Sequence, residues 1–173
     1  MPTTLPVPIE FELPEGWHAA PPDEAGAPGA AFVALHPQPD AGFTANITID
    51  GEYRPDAAAL PEIAQESVER LRQTAMSVEV TGRREIGSAE APGLTQTLAV
   101  SVVVGGLLRD LVQSQVYLSM LDVTDPRKRS VIRLVLTATA SQHPTVLDDF
   151  RDFVRTVRPD TGTDTGTDTG AAS

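Results

Sequence analysis

Three Asp-Thr-Gly triplets, Asp160-Thr161-Gly162, Asp164-Thr165-Gly166 and Asp168-Thr169-Gly170, come nearest to a catalytic signature in this chain. Such a triplet does chemistry when two aspartates are held face to face by rigid strands and share one proton. Here the triplets repeat every four residues in a Thr/Gly/Asp tract with no apolar neighbour to pack, so residues 160–173 read as a disordered tail. The tract also lacks the Gly-Gly-x-Gly-x-Asp pattern of calcium-binding β-rolls. His18, His36 and His143 each stand beside a turn or strand end, with no i, i+4 pair and no nearby carboxylate, so no metal site is expected. Asp148, Asp149 and Asp152 could act as paired acid and base, but a place near the start of a helix accounts for them through the helix dipole.

Other chemistries lack their residues. No serine sits in Gly-x-Ser-x-Gly. Gly105-Gly106 has none of the surrounding Gly-Lys pattern of a phosphate loop. The chain has no cysteine, which removes thiolate nucleophiles, disulfides and sulfur-ligated metals. No catalytic residue, metal or cofactor is assigned, and the chain reads as a non-enzyme. Arg127-Lys128-Arg129 is the one basic cluster, best explained as a solvated hairpin tip. Gln96, Gln113 and Gln115 with Tyr117 lie on neighbouring strands flanking Gly105. Residues two apart on a strand share a face, so Gln113, Gln115 and Tyr117 point the same way. Amides and a phenol facing water can read a partner reversibly. These four residues are the candidate partner surface.

The elements that must position them follow from periodicity. Ile9, Phe11 and Leu13 alternate with Glu10 and Glu12, as in a half-buried strand that Pro14-Glu15-Gly16 ends. Trp17, the only tryptophan, is expected to plug a core edge. Further strands are expected over 31–36 and 43–49, the latter closed by Asp50-Gly51. A helix is expected over 56–75, with Leu60, Ala64, Val68, Leu71 and Ala75 at helical steps and Asp56 as cap. Strands over 78–86 and 94–104 come next, then Gly105-Gly106 as a hairpin turn. Val112, Ser114, Val116, Leu118 and Met120 mark one face of the following strand. Ile132, Leu134, Leu136, Ala138 and Ala140 mark the last. A final helix is expected over 145–157, opened by a capping-box-like Thr145-Val146-Leu147-Asp148. The order β-β-β-α-β-β-β-β-α implies an α+β fold: an antiparallel sheet of about six to seven strands packed with two main helices.

Composition bounds the function. The 173 residues suit one domain over 8–159, with a flexible segment over 1–7 and the tail over 160–173. A net charge of −11 repels phosphate backbones and anionic lipid heads, so neither nucleic acid nor membrane is an expected partner. Residues 1–12 show no basic-then-apolar leader, and no apolar run approaches membrane-spanning length, so a cytoplasmic location is expected. Of 13 basic residues only Lys128 is a lysine, which with abundant Ala, Gly and Pro suggests a GC-rich bacterial source.

Leu13-Pro14-Glu15-Gly16-Trp17, Asn46-Ile47-Thr48-Ile49, Leu134-Val135-Leu136-Thr137-Ala138-Thr139 and Phe150-Arg151-Asp152-Phe153-Val154 with Val157 and Pro159 together resemble the PsbP-like superfamily, above all its DcrB-like and actinobacterial LpqN-type groups. The resemblance spans residues 9–159, and the order and spacing of the motifs carry it. The chain departs from LpqN-type lipoproteins in lacking a lipobox cysteine. The resemblance implies a sheet–helix sandwich, no shared catalytic residues and mostly protein partners. It implies a protein-binding module, of the accessory or chaperone type serving a bacterial secretion system. A small-molecule or lipid-binding protein using a sheet–helix cleft is the other reading left open.

Overall fold

The computed structural model describes residues 9–22, 30–56, 58–87, 92–121 and 129–159; the expected N-terminal segment, the Asp-Thr-Gly tail, and Arg127 and Lys128 of the basic cluster lie outside them. In chain order the elements are β1 (Ile9–Glu10), β2 (His18–Ala20), β3 (Phe32–Leu35), β4 (Asn46–Tyr53), α1 (Leu60–Arg72), β5 (Ser77–Gly87), β6 (Pro92–Val104), β7 (Leu107–Leu121), β8 (Arg129–Thr139), α2 (His143–Thr156) and β9 (Arg158–Pro159). Seven strands form one antiparallel sheet in the order β2-β3-β4-β8-β7-β6-β5, and β1 pairs with β9 in a two-stranded ribbon. The architecture is α+β, as the periodicity predicts, with one helix on each face of the sheet.

Strand parity divides the molecule into two cores. Ile132, Leu134, Leu136 and Ala138 of β8 join Ile47 and Ile49 of β4 beneath Val146, Phe150 and Phe153 of α2, with Trp17 closing the edge. On the other face Leu60, Ile63 and Ala64 of α1 pack on Leu94, Tyr117 and Val131, and Val68 packs among Val78, Leu98, Val100 and Leu111. β8 is therefore covered on both faces, and Val131 to Thr139 are buried throughout except Arg133.

Boundaries differ from the sequence reading for local reasons. β4 starts at Asn46 rather than 43, because Phe43 closes back on Asp40 in an isolated bridge. It then continues through Asp50-Gly51, where a turn is expected, because both pair with β8, at Arg133 and Ile132. Asp56 does not cap α1. It binds the Arg54 guanidinium at 2.9 Å, and Ala59 takes the cap position with Pro61 in the first turn. α2 begins at His143 rather than 145, again with Pro in its first turn, so Asp148 and Asp149 lie beyond that turn and Thr145 makes no capping box. β2 and β9 have no counterpart in the sequence reading.

Arg54 ties the far end of β4 to α1 through Glu66 (2.8 Å), Asp56 and Glu52 (3.2 Å). Glu66 and Asp56 hold its guanidinium well above the ordinary range.

Candidate functional site

The expected polar strip is placed where parity puts it, on one face of β6 and β7, but that face is not open to water. α1 lies across it. Gln96, Gln115 and Tyr117 are only 2%, 2% and 1% exposed. Burial without partners would be costly, and the three satisfy one another instead. Gln96 Nε2 donates to Gln115 Oε1 at 2.7 Å and to the Ala64 carbonyl of α1 at 3.2 Å. Tyr117 Oη donates to Gln115 Oε1 at 2.8 Å. Gln115 Nε2 in turn donates to Gln113 Oε1 at 2.8 Å. The expectation of a solvent-facing strip is corrected for three of its four members: they form a hydrogen-bonded seam beneath a helix. Sequence alternation could place them on a common face, but it could not show what covers that face.

Gln113 remains partly exposed and lines a cleft of about 350 Å³ between α1 and strands β4, β8 and β7. Ladder register aligns Asn46, Thr137 and Gln113 in one row, and Thr48, Val135 and Gln115 in the next. Arg133 lies one row further on. Its guanidinium reaches Asp50 Oδ2 at 2.7 Å and Ser67 Oγ at 3.1 Å. Burial works to lower its pKa, but the charge of Asp50 and the hydrogen bond to it outweigh that and hold it above its ordinary value. The cleft is polar and carries no nucleophile–base pair.

The three histidines do not meet. His36 packs edge-on against Trp17, with ring centroids 5.1 Å apart. His18 begins the edge strand β2. His143 is buried, and its Nε2 lies 2.9 Å from Ser114 Oγ of β7. A serine and a histidine at that distance are two-thirds of a hydrolytic triad. The third part, a carboxylate hydrogen-bonded to His143, is not found among the described residues. Burial first, and Arg151 second, push the His143 pKa below its ordinary value, so at neutral pH the ring is uncharged. The pair fastens the first turn of α2 to the sheet. No local spacing signals it, because 29 residues separate the partners. Among the described residues no group of three His, Cys, Asp or Glu could hold a metal ion, and no helix is long and apolar enough to cross a membrane.

The feature that sequence reasoning passed over is the tip of the β6–β7 hairpin. Gly105 and Gly106 turn the chain with φ of 59° and 81°, a left-handed pair that side chains resist. The register sets Val103 opposite Leu108. Val103, Leu107 and Leu108 are 55%, 62% and 65% exposed. Met76, 69% exposed, enters β5 alongside them, its amide donating to the Ser101 carbonyl at 2.8 Å. These four side chains put apolar surface at one end of the molecule, beyond the reach of both helices. The signal was present as Val102-Val103-Val104-Gly105-Gly106-Leu107-Leu108. In sequence it reads as strand and turn.

No family model matches the chain, and no curated protein matches it. Solved structures do. LpqN of Mycobacterium tuberculosis, described as involved in cell envelope biogenesis, matches with a TM-score of 0.62 at 15% identity, covering 89% of this chain and 86% of that one. The cyanobacterial PsbP (CyanoP) of Synechocystis sp. PCC 6803 matches with a TM-score of 0.55 at 16% identity, covering 88% of this chain and 86% of that one. The Saccharomyces cerevisiae Ran-binding protein Mog1p matches with a TM-score of 0.55 at 17% identity, covering 87% of this chain and 89% of that one. At these identities the likeness is one of fold.

Proposed function

We propose that this chain, a domain of PsbP-like fold, is a non-catalytic protein-binding module that seats a partner on the apolar tip of its β6–β7 hairpin. The observation that carries the reading is the exposure of Met76, Val103, Leu107 and Leu108 together. Single exposed apolar residues are ordinary, but four at one end of the sheet, Val103 with Leu108 on one face and Leu107 with Met76 on the other, mark an interaction surface. Leucine and valine side chains on a two-stranded projection, with Met76 beside its base, suit an apolar groove in another protein. The Mog1p likeness supports the class of function, since that protein of the same fold is described as Ran-binding. An accessory or chaperone role in a bacterial secretion system is the finer form of the proposal, resting on the sequence resemblance alone.

The test is affinity capture with wild type, a Leu107→Ser/Leu108→Ser variant and an Arg72→Gln variant on α1. Both leucines are exposed, so the double variant should keep the wild-type circular dichroism spectrum and melting temperature. The proposal expects a stoichiometric partner to be held by wild type and Arg72→Gln and lost by the leucine variant. Retention of the same partner by all three would overturn it.

A further inference from the structure

The second cleft lies on the other side of the sheet, and its chemistry differs from both the hairpin tip and the polar cleft under α1. α2 covers β4, β8 and β7, and the sheet extends past it to β6 and β5. The overhang encloses about 380 Å³. Ile86, Val116, Leu147, Phe150 and Val154 supply an apolar lining. Leu147 and Val154 are seven apart, two turns of α2, and stay only partly buried because no helix packs over them.

The charge of the cleft opposes that of the molecule. The sequence has 24 acidic and 13 basic residues, yet the lining includes Arg84, Arg151 and Arg155 and no carboxylate among the described residues. Arg151 and Arg155 do have aspartates one turn back, Asp148 at 3.8 Å and Asp152 at 2.7 Å. Those side chains are 87% and 72% exposed, and such water-screened pairs do not neutralise an arginine firmly. Guanidinium groups around an apolar recess match a ligand with one planar anionic end and one apolar end, because the guanidinium fork meets a carboxylate bidentately. Clefts also focus the field of the charges that line them.

We propose that this cleft binds a single-chain aliphatic carboxylate, the chain along Leu147, Phe150 and Val154 and the carboxylate toward Arg84 and Arg151. Size sets the chain length. At roughly 30 Å³ for a group the size of a water molecule, the cleft takes about a dozen non-hydrogen atoms. Decanoate is the probe of that size.

The experiment is titration calorimetry of the full chain with hexanoate, octanoate and decanoate at monomeric concentrations, with 1-decanol as the uncharged control. Burying a methylene tightens binding by up to about fourfold, so each two-carbon step should gain about tenfold until the cleft is full near decanoate. The Arg84→Gln/Arg151→Gln variant should bind decanoate at least tenfold more weakly. Leu107→Ser/Leu108→Ser should bind it as wild type does, which separates this result from the fate of the hairpin proposal. Methyl resonances of Leu147 and Val154 should shift on titration, and those of Leu60 and Ile63 on the opposite face should not. Absence of decanoate binding, equal affinity for 1-decanol, or an arginine variant that binds undiminished would each overturn the proposal.

Discussion

Trp17 shows how one side chain joins distant parts of this chain. Its ring closes the core under α2, and its Nε1 donates to Asp149 Oδ2 of α2 at 3.0 Å. Removing it opens a cavity and orphans part of that contact. Trp17→Ala is therefore expected to cost about 3–5 kcal/mol, read as a lower urea midpoint with unchanged slope. A mild shift would contradict this. Gln115 is the hub of the buried seam, so Gln115→Ala leaves Gln96 and Tyr117 each short of a partner. A loss of about 1–3 kcal/mol is expected, the cost of an unmet buried polar group. Stability equal to wild type would show that water replaces the amide. His143 gives a pH dependence. Its folded pKa lies below its unfolded one, so the unfolded state takes the proton first. The contribution is complete above about 6.5 and is lost as pH falls through that value toward the lower folded one. Wild type should lose more stability between pH 7.5 and pH 5.5 than His143→Gln does. Parallel losses would remove His143 from the account.

At the scale of elements, much of the fold was legible. The alternation of Ile132, Leu134, Leu136 and Ala138 marked a core strand, and the helical stripes of Leu60, Ala64 and Val68 and of Val146, Phe150 and Phe153 marked both helices. What was not legible depended on partners outside the window. Asp50-Gly51 has turn chemistry, but pairing with Arg133 and Ile132 overrides it. β9 is two residues long and exists only through β1, and β1 itself, marked by the alternation of Ile9, Phe11 and Leu13, pairs only over Ile9–Glu10 because β9 is no longer than that. The glutamine strip shared a face, as read, but the carbonyl of Ala64 that lets Gln96 be buried lies 32 residues away. The hairpin turn was legible because Gly105-Gly106 is local chemistry. Its left-handed backbone excludes branched side chains, so Gly106→Val should cost about 1–2 kcal/mol and speed amide exchange at Leu107 and Leu108. Unchanged exchange would show a tip that does not depend on this turn.

The whole molecule is a sheet armoured by a helix on each face, with its unusual surfaces at the margins: an apolar hairpin tip at one end and a basic, apolar recess under the overhang of β5 and β6. The cores explain most of the sequence and none of those two surfaces, which is why function is sought there. The recess is small and suits a ligand. The tip projects and suits a protein. Site-specific photo-crosslinking in cells tests the second claim most directly, with a benzophenone side chain placed at Leu107, at Leu108, and at Glu69 on the exposed face of α1 as control. The account predicts one discrete heavier adduct from both tip positions, absent from Glu69 and lost from the Leu108 probe when Leu107 is changed to Ser. No adduct from either tip position, or the same adducts from Glu69, would contradict it.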